Sequence, residues 1–242
     1  MKEEKKVEFT QKWIEDAVKK LFQKEEIYES DMEKIKYLRI GEDFDLGYMI
    51  EMSMETPPDP FYDTDGGDEW NLGTAGGTMI GKFIRLFIDY IKENPFDYID
   101  SYTGEHRFQL SDLEFWDEYE EEWDEYEKEH EESGEYWEDW EDTLKKWKAF
   151  EKTILCETYH EKFDDEDEED EWYQRIRQAI QQDIGLFTGL EVLRTQGGEY
   201  QDMTFLRTMP QLRVWEVVDT YFLSLAGIDD LARLKQLCCW MD

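Results

Sequence analysis

Apolar positions recur with helical spacing at the start of the chain. Trp13, Ala17, Val18 and Leu21 fall on one face of a segment over 10–24, with Thr10 placed to cap it. The stretch 27–40 ends in the alternation Ile35-Lys-Tyr-Leu38-Arg-Ile40, which predicts a strand with Leu38 and Ile40 inward. Residues 48–54 predict a further strand. Residues 55–78, with Pro57, Pro58, Pro60 and a Gly-rich run, read as loop. Ile80, Phe83, Ile84, Phe87 and Ile91 mark a helix over 79–93 that stops near Asn94-Pro95. Aromatic residues then form stripes at steps of 3 and 4. Trp116, Tyr119, Trp123 and Tyr126 lie in one predicted helix over 112–132, and Trp137, Trp140, Leu144 and Trp147 in a second over 135–155. With Ser133-Gly134 between them, the two make a helical hairpin whose stripes face each other.

A different pattern occupies the C-terminal third. Ile184, Phe187, Leu190 and Val192 are spaced 3, 3, 2. Leu206, Met209, Leu212 and Val214 repeat that spacing, and Leu231, Leu234, Leu237 and Cys239 repeat it again after a slightly longer interval. Met32, Ile35, Leu38 and Ile40 carry it near the N-terminus. This is the L-x-x-L-x-x-L-x-L pattern of leucine-rich repeats. The opening segment, Phe9 to Leu21 followed by Ser30-Asp31-Met32, resembles the N-terminal helical cap and first repeat of bacterial leucine-rich-repeat proteins. Together these pieces cover roughly 100 of the 242 residues, and the long stretch between Ile40 and Ile184 separates the two halves. Asp43, Thr195, Val217 and Asp242 stand where the family usually has Asn.

The expected architecture is therefore α+β: a short leucine-rich-repeat-like scaffold split by an acidic, mainly helical insertion. The expected units are a cap and first repeat over 1–54, the insertion over 55–175 and the remaining repeats over 176–242. The resemblance also implies a concave binding face. It places Leu193, Trp215 and Trp240 in one exposed column, Glu191, Arg213 and Cys238 in the next, and Gly189, Gln211 and Gln236 in a third.

Charge changes the picture most. The chain carries 63 acidic and 27 basic residues, a formal net charge of −36. Between Ser111 and Trp172 there are 29 acidic residues against 6 lysines, and residues 161–171 are almost wholly acidic. Such a charge repels nucleic acid and anionic membranes and attracts basic surfaces. With 40% hydrophobic residues the chain still has material for a core. Its charged first ten residues lack the apolar stretch of a signal peptide, and no run approaches the ~20 apolar residues of a membrane helix. Three cysteines, two of them adjacent, do not make a disulfide framework, so a cytoplasmic location is expected.

Motifs with chemistry are thin. Gly76-Gly-Thr-Met-Ile-Gly81-Lys82 has phosphate-loop spacing, but Phe83 stands where magnesium needs Ser or Thr. Asp63-x-Asp65-x-Gly67 starts like a calcium loop, but its glycine is one position early and Thr74 replaces the closing Glu. Cys156 and His160, four apart on a predicted helix, have no second ligand pair. No nucleophile motif surrounds any histidine, and carboxylates on a solvated helix keep ordinary pKa values. No enzyme, cofactor or metal is expected. The expected function is protein binding. Glu121, Glu122, Asp124, Glu125, Glu138, Asp139, Asp165 and Asp167 would form an acidic face that imitates a nucleic-acid backbone. That face would dock on a basic, nucleic-acid-binding protein and inhibit it, as anti-defence or immunity proteins do. The competing expectation is an adaptor that binds through Leu193, Arg213, Trp215 and Trp240, with acidity serving solubility.

Overall fold

A computed structural model describes residues 4–43, 47–58, 70–71, 108–109, 142, 145–159 and 178–240. The first amphipathic pattern forms helix α1 (Lys12–Phe22), which buries Ile14, Ala17 and Val18. A one-turn helix α2 (Glu29–Met32) follows. The predicted strands appear as β1 (Tyr37–Asp43) and β2 (Gly47–Ser53), an antiparallel pair, with Leu38 and Ile40 buried as expected. Two two-residue strands, β3 (Trp70–Asn71) and β4 (Phe108–Gln109), precede β5 (Leu155–Tyr159). The C-terminal third supplies β6 (Val192–Gln196), β7 (Glu199–Tyr200), β8 (Val214–Val218), β9 (Tyr221–Phe222) and β10 (Gln236–Trp240). Helices and a mixed sheet make the fold α+β.

The main sheet has the order β3-β10-β8-β6-β1-β2-β5. Its centre is parallel, from β1 through β6 and β8 to β10. Antiparallel strands flank it: β2 and β5 beyond β1, and β3 beyond β10. A smaller sheet aligns β7 parallel to β9, with β4 antiparallel on the outside. Each of β6 and β8 thus leads into a short second strand and then a 3-10 turn, Thr204–Thr208 or Ile228–Arg233.

The cross-strand register fixes the repeat. Val192 pairs with Val214, and Val214 with Gln236, so the two steps are equal in length. The longer second step expected from sequence is thereby corrected. The aligned columns are Ile184, Leu206 and Ile228; Phe187, Met209 and Leu231; Leu190, Leu212 and Leu234; and Leu193, Trp215 and Leu237. All twelve are buried. They join Leu38, Ile40, Ile50 and Met52 in one core with the buried face of α1. The turns leaving β6 and β8 need a left-handed backbone: Gly197 has φ 64°, and Asp219, at the equivalent place after β8, has φ 43°.

Part of the opposite face of the sheet is covered too. Residues 145–151 are helical and turn into β5, so the predicted helix over 135–155 ends before Leu155. Phe150, with Trp147 and Ile154 beside it, packs on Tyr37, Val192 and Val214 as a second apolar cluster. Phe150 stands edge-on to Tyr37, with ring centroids 5.6 Å apart at 90°. Trp70-Asn71, expected in a loop, pairs instead with Cys239 and Cys238. The predicted helices over 79–93 and 112–132, the first part of the one over 135–155 and the acidic run over 161–171 lie outside the described residues.

Candidate binding faces

The acidic face proposed from sequence (Glu121, Glu122, Asp124, Glu125, Glu138, Asp139, Asp165 and Asp167) lies outside the described residues, as do the Gly76–Lys82 and Asp63–Gly67 motifs. Charge can still be located along the chain. Residues 1–54 and 176–242 hold 23 acidic and 16 basic side chains, a net of −7. Residues 55–175 hold 40 acidic and 11 basic, a net of −29. The two ends of the chain are therefore close to balanced, and the acidity is concentrated between them.

The exposed column expected of Leu193 and Trp215 does not form. Leu193 and Trp215 both have 0% exposure and sit in the main core. Trp215 stands edge-on to Phe205 and Phe222 and donates its Nε1–H to Thr195 Oγ1 at 3.2 Å. Taking Val192 and Val214 as the inward pair shifts the register by one residue, and a one-residue shift moves every side chain to the other face. Trp240 aligns with Val218 and Gln196, not with Trp215. Arg213 aligns with Glu191 and Lys235, since Arg213 N–H donates to Glu191 O and Lys235 N–H to Arg213 O. Its side chain is three-quarters buried, 3.6 Å from Glu191 Oε2, and Nη2 donates to Pro57 O at 3.4 Å. Thr56 Oγ1 also reaches Glu191. Arg213 therefore holds the chain leaving β2 and is not presented as an open anchor.

Beside the apolar row of Tyr37, Val192 and Val214 runs a charged row. Glu51, Arg39, Arg194 and Glu216 stand in direct register on β2, β1, β6 and β8. Arg39 Nη1 donates to Glu51 Oε1 at 3.3 Å and Nη2 to Gln196 Oε1 at 2.6 Å. Arg194 Nε lies 3.4 Å from Glu216 Oε2. Burial pushes the Tyr37 hydroxyl pKa up, and the Glu216 and Glu51 carboxylates add to it. The sequence carried a sign of this row in Leu38-Arg39-Ile40 and Leu193-Arg194-Thr195, where arginine follows the inward leucine on both strands.

Cys156 lies on β5, so the helical i, i+4 pairing with His160 does not exist. Burial pushes its thiol pKa up, and Glu51, which accepts from Sγ at 3.7 Å, acts in the same direction. That is opposite to what a nucleophilic thiolate requires. Among the described residues no group of His, Cys, Asp and Glu is arranged to hold a metal, and no helix is long and apolar enough to cross a membrane.

The end of α1 carries a contact no sequence pattern announces. Gln11 occupies the N-cap without a side-chain cap bond. The buried Asp183 does the capping from far along the chain: Oδ1 accepts from Thr10 N–H at 2.9 Å and Oδ2 from Gln11 N–H at 2.8 Å. Thr10, expected to cap, instead donates its hydroxyl to Ala179 O.

No protein-family model matches the chain, and comparison with characterised proteins and with solved structures finds no match.

Proposed function

We propose that the chain is a non-catalytic, cytoplasmic protein-binding protein in which a short leucine-rich-repeat-like scaffold holds an acidic, mainly helical insertion, and that the insertion docks on a basic partner. The partner class that fits is a nucleic-acid-binding protein, and the outcome that fits is inhibition by imitation of a phosphate backbone. The units of the scaffold are 1–54 and 176–242, with the insertion over 55–175. The observation that carries this reading is the division of charge. A net of −7 over residues 1–54 and 176–242 against −29 over 55–175 is not how acid kept for general solubility is distributed. The evenly spaced parallel strands β6, β8 and β10 support the scaffold half of the proposal. The seating of Phe150 and Trp147 on the second face supports it further, because a segment within the proposed insertion packs there. An adaptor using the same face would have Leu193 and Trp215 in the core and Arg213 tied to Pro57 and Glu191.

The test is capture of basic proteins at low and high salt by the full chain and by a variant with Glu121, Glu122, Asp124 and Glu125 changed to Lys. Salt-sensitive capture of a nucleic-acid-binding protein, lost in the variant, is expected. Capture that ignores salt or survives the four reversals refutes the proposal.

A further inference from the structure

The main sheet ends on β5, and among the described residues nothing pairs with the outer edge of that strand. An edge strand presents unpaired backbone N–H and C=O groups, and folded proteins blunt such edges with proline, bulges, outward charges or very short strands. None of these devices is present on β5. Its five residues, Leu155 to Tyr159, pair with β2 without a break. Its one charged side chain, Glu157, is tied to Lys20 of α1. Tyr159 packs on Trp13 of α1, with ring centroids 5.3 Å apart, so the strand is held in place for pairing. Cys156 and Thr158, on the other face, are small and exposed.

The charge on either side of β5 selects its neighbour. Residues 145–152, which lead into the strand, hold four lysines and one glutamate. Lys145, Lys148 and Lys152 are exposed, and among the described residues no carboxylate lies within ion-pair distance of them. Residues 161–171, which follow the strand, hold nine acidic residues and one lysine. The order along the chain is thus basic, strand, acidic. Two such strands laid antiparallel about a two-fold axis bring the basic lead-in of each copy beside the start of the acidic run of the other. Parallel pairing would set like charge against like.

We propose that β5 is the contact of a symmetric homodimer, in which the main sheets of two copies join edge to edge through antiparallel β5 strands. The net charge of −36 on each copy opposes the approach. At about 0.15 M salt, where charges are screened beyond ~8 Å, the adjacent opposite charges outweigh the distant like ones. Two five-residue strands bury less than a standard interface, so the dimer is weak and separates on dilution. The pairing does not rest on the docking of a basic partner.

Sedimentation of the full chain in about 0.15 M salt, across a dilution series, tests it. A monomer–dimer equilibrium is expected. Cys156 stands one residue from the middle of β5, so a short bismaleimide should link the two copies, and Cys156→Ser should lose the product. Changing Lys145, Lys148 and Lys152 together to Glu should raise the dissociation constant at least about tenfold, and changing all three to Arg should leave it within about twofold. A chain monomeric at every concentration overturns the proposal. So does a dimer that still crosslinks in Cys156→Ser, or one indifferent to the three Glu changes. The crosslink on the unaltered chain keeps the test decisive should the Glu variant fail to fold. A monomeric chain that still captures a basic protein removes the pairing alone, and a dimer that captures none removes the docking alone.

Discussion

Two buried carboxylates show how much of this molecule is settled by single side chains. Asp183 closes the N-terminus of α1 with two backbone N–H bonds, joining the start of the chain to the helical turn before the first C-terminal repeat. Burial raises its pKa, so holding it ionised costs stability, and the two N–H bonds offset that cost. Replacing it with Ala strands two donors in a part-buried setting. The expected loss is about 1–3 kcal/mol in denaturant unfolding, with hydrogen exchange accelerated in α1 first. Asp31 works in the opposite direction. Burial alone would raise its pKa, but Lys24 at 2.7 Å, Lys34 at 2.9 Å and the Tyr28 N–H outweigh burial and hold it at about 2. Its folded value lies below the unfolded one, so its contribution is complete above the unfolded pKa, near 4, and is lost as pH falls from there to 2. Because both lysines are half exposed, the contribution is about 1–2 kcal/mol. The stability gap between the native chain and Asp31→Asn should therefore close between pH 4 and pH 2. A gap independent of pH would remove the ion pairs from the account.

At the scale of elements, legibility in the sequence followed periodicity. The one-sided spacing of α1 and the alternation of β1 gave both elements, since each has one wet side and one dry side, but α1 buries Ile14 with Ala17 and Val18 and leaves Trp13 and Leu21 only partly buried. The repeat strands do not. Val192-Leu193 and Val214-Trp215 are apolar on both faces because Phe150 covers one and the main core the other. A strand buried on both sides reads as a continuous run with no phase. The choice of Val192 and Val214 as inward residues then sent Leu193 and Trp215 to the wrong face. In β5, alternation in Leu155-Cys-Glu-Thr-Tyr was hidden behind the aromatic stripe running up to Trp147. The two apolar clusters should respond differently to truncation. Trp215→Ala removes the largest side chain buried in the main core, and a global loss of about 3–5 kcal/mol is expected. Phe150→Ala should release residues 145–159 to hydrogen exchange while β6 and β8 stay protected. Equal loss of protection in both regions would mean that the second cluster is part of the same cooperative unit.

For the molecule as a whole, the sequence revealed how much charge there is and roughly where it falls. The hydrophobic columns, the cap contact at Asp183 and most of the sheet are built from the two ends of the chain, whose charges nearly cancel. Changing Asp165 and Asp167 to Lys should therefore leave the unfolding of the scaffold within about 0.5 kcal/mol of the native value while weakening capture of a basic partner. A fall in stability as large as the fall in binding would place those residues in the scaffold's own energetics.

The antiparallel strands at the two ends of the parallel run have a consequence for growth. Stacked repeats can in principle be added without limit, each new strand finding the last one's free edge. Here β3 lies against β10, and β2 with β5 against β1, so neither end of the parallel run offers an edge to a newcomer. The array is open to lengthening only from within. Duplicating residues 198–219, one whole period spanning β7 and β8, should give a folded chain with one more parallel strand. The same segment appended after β10 should hang unpaired. Gene duplication in this lineage would then have had to act on the middle of the array.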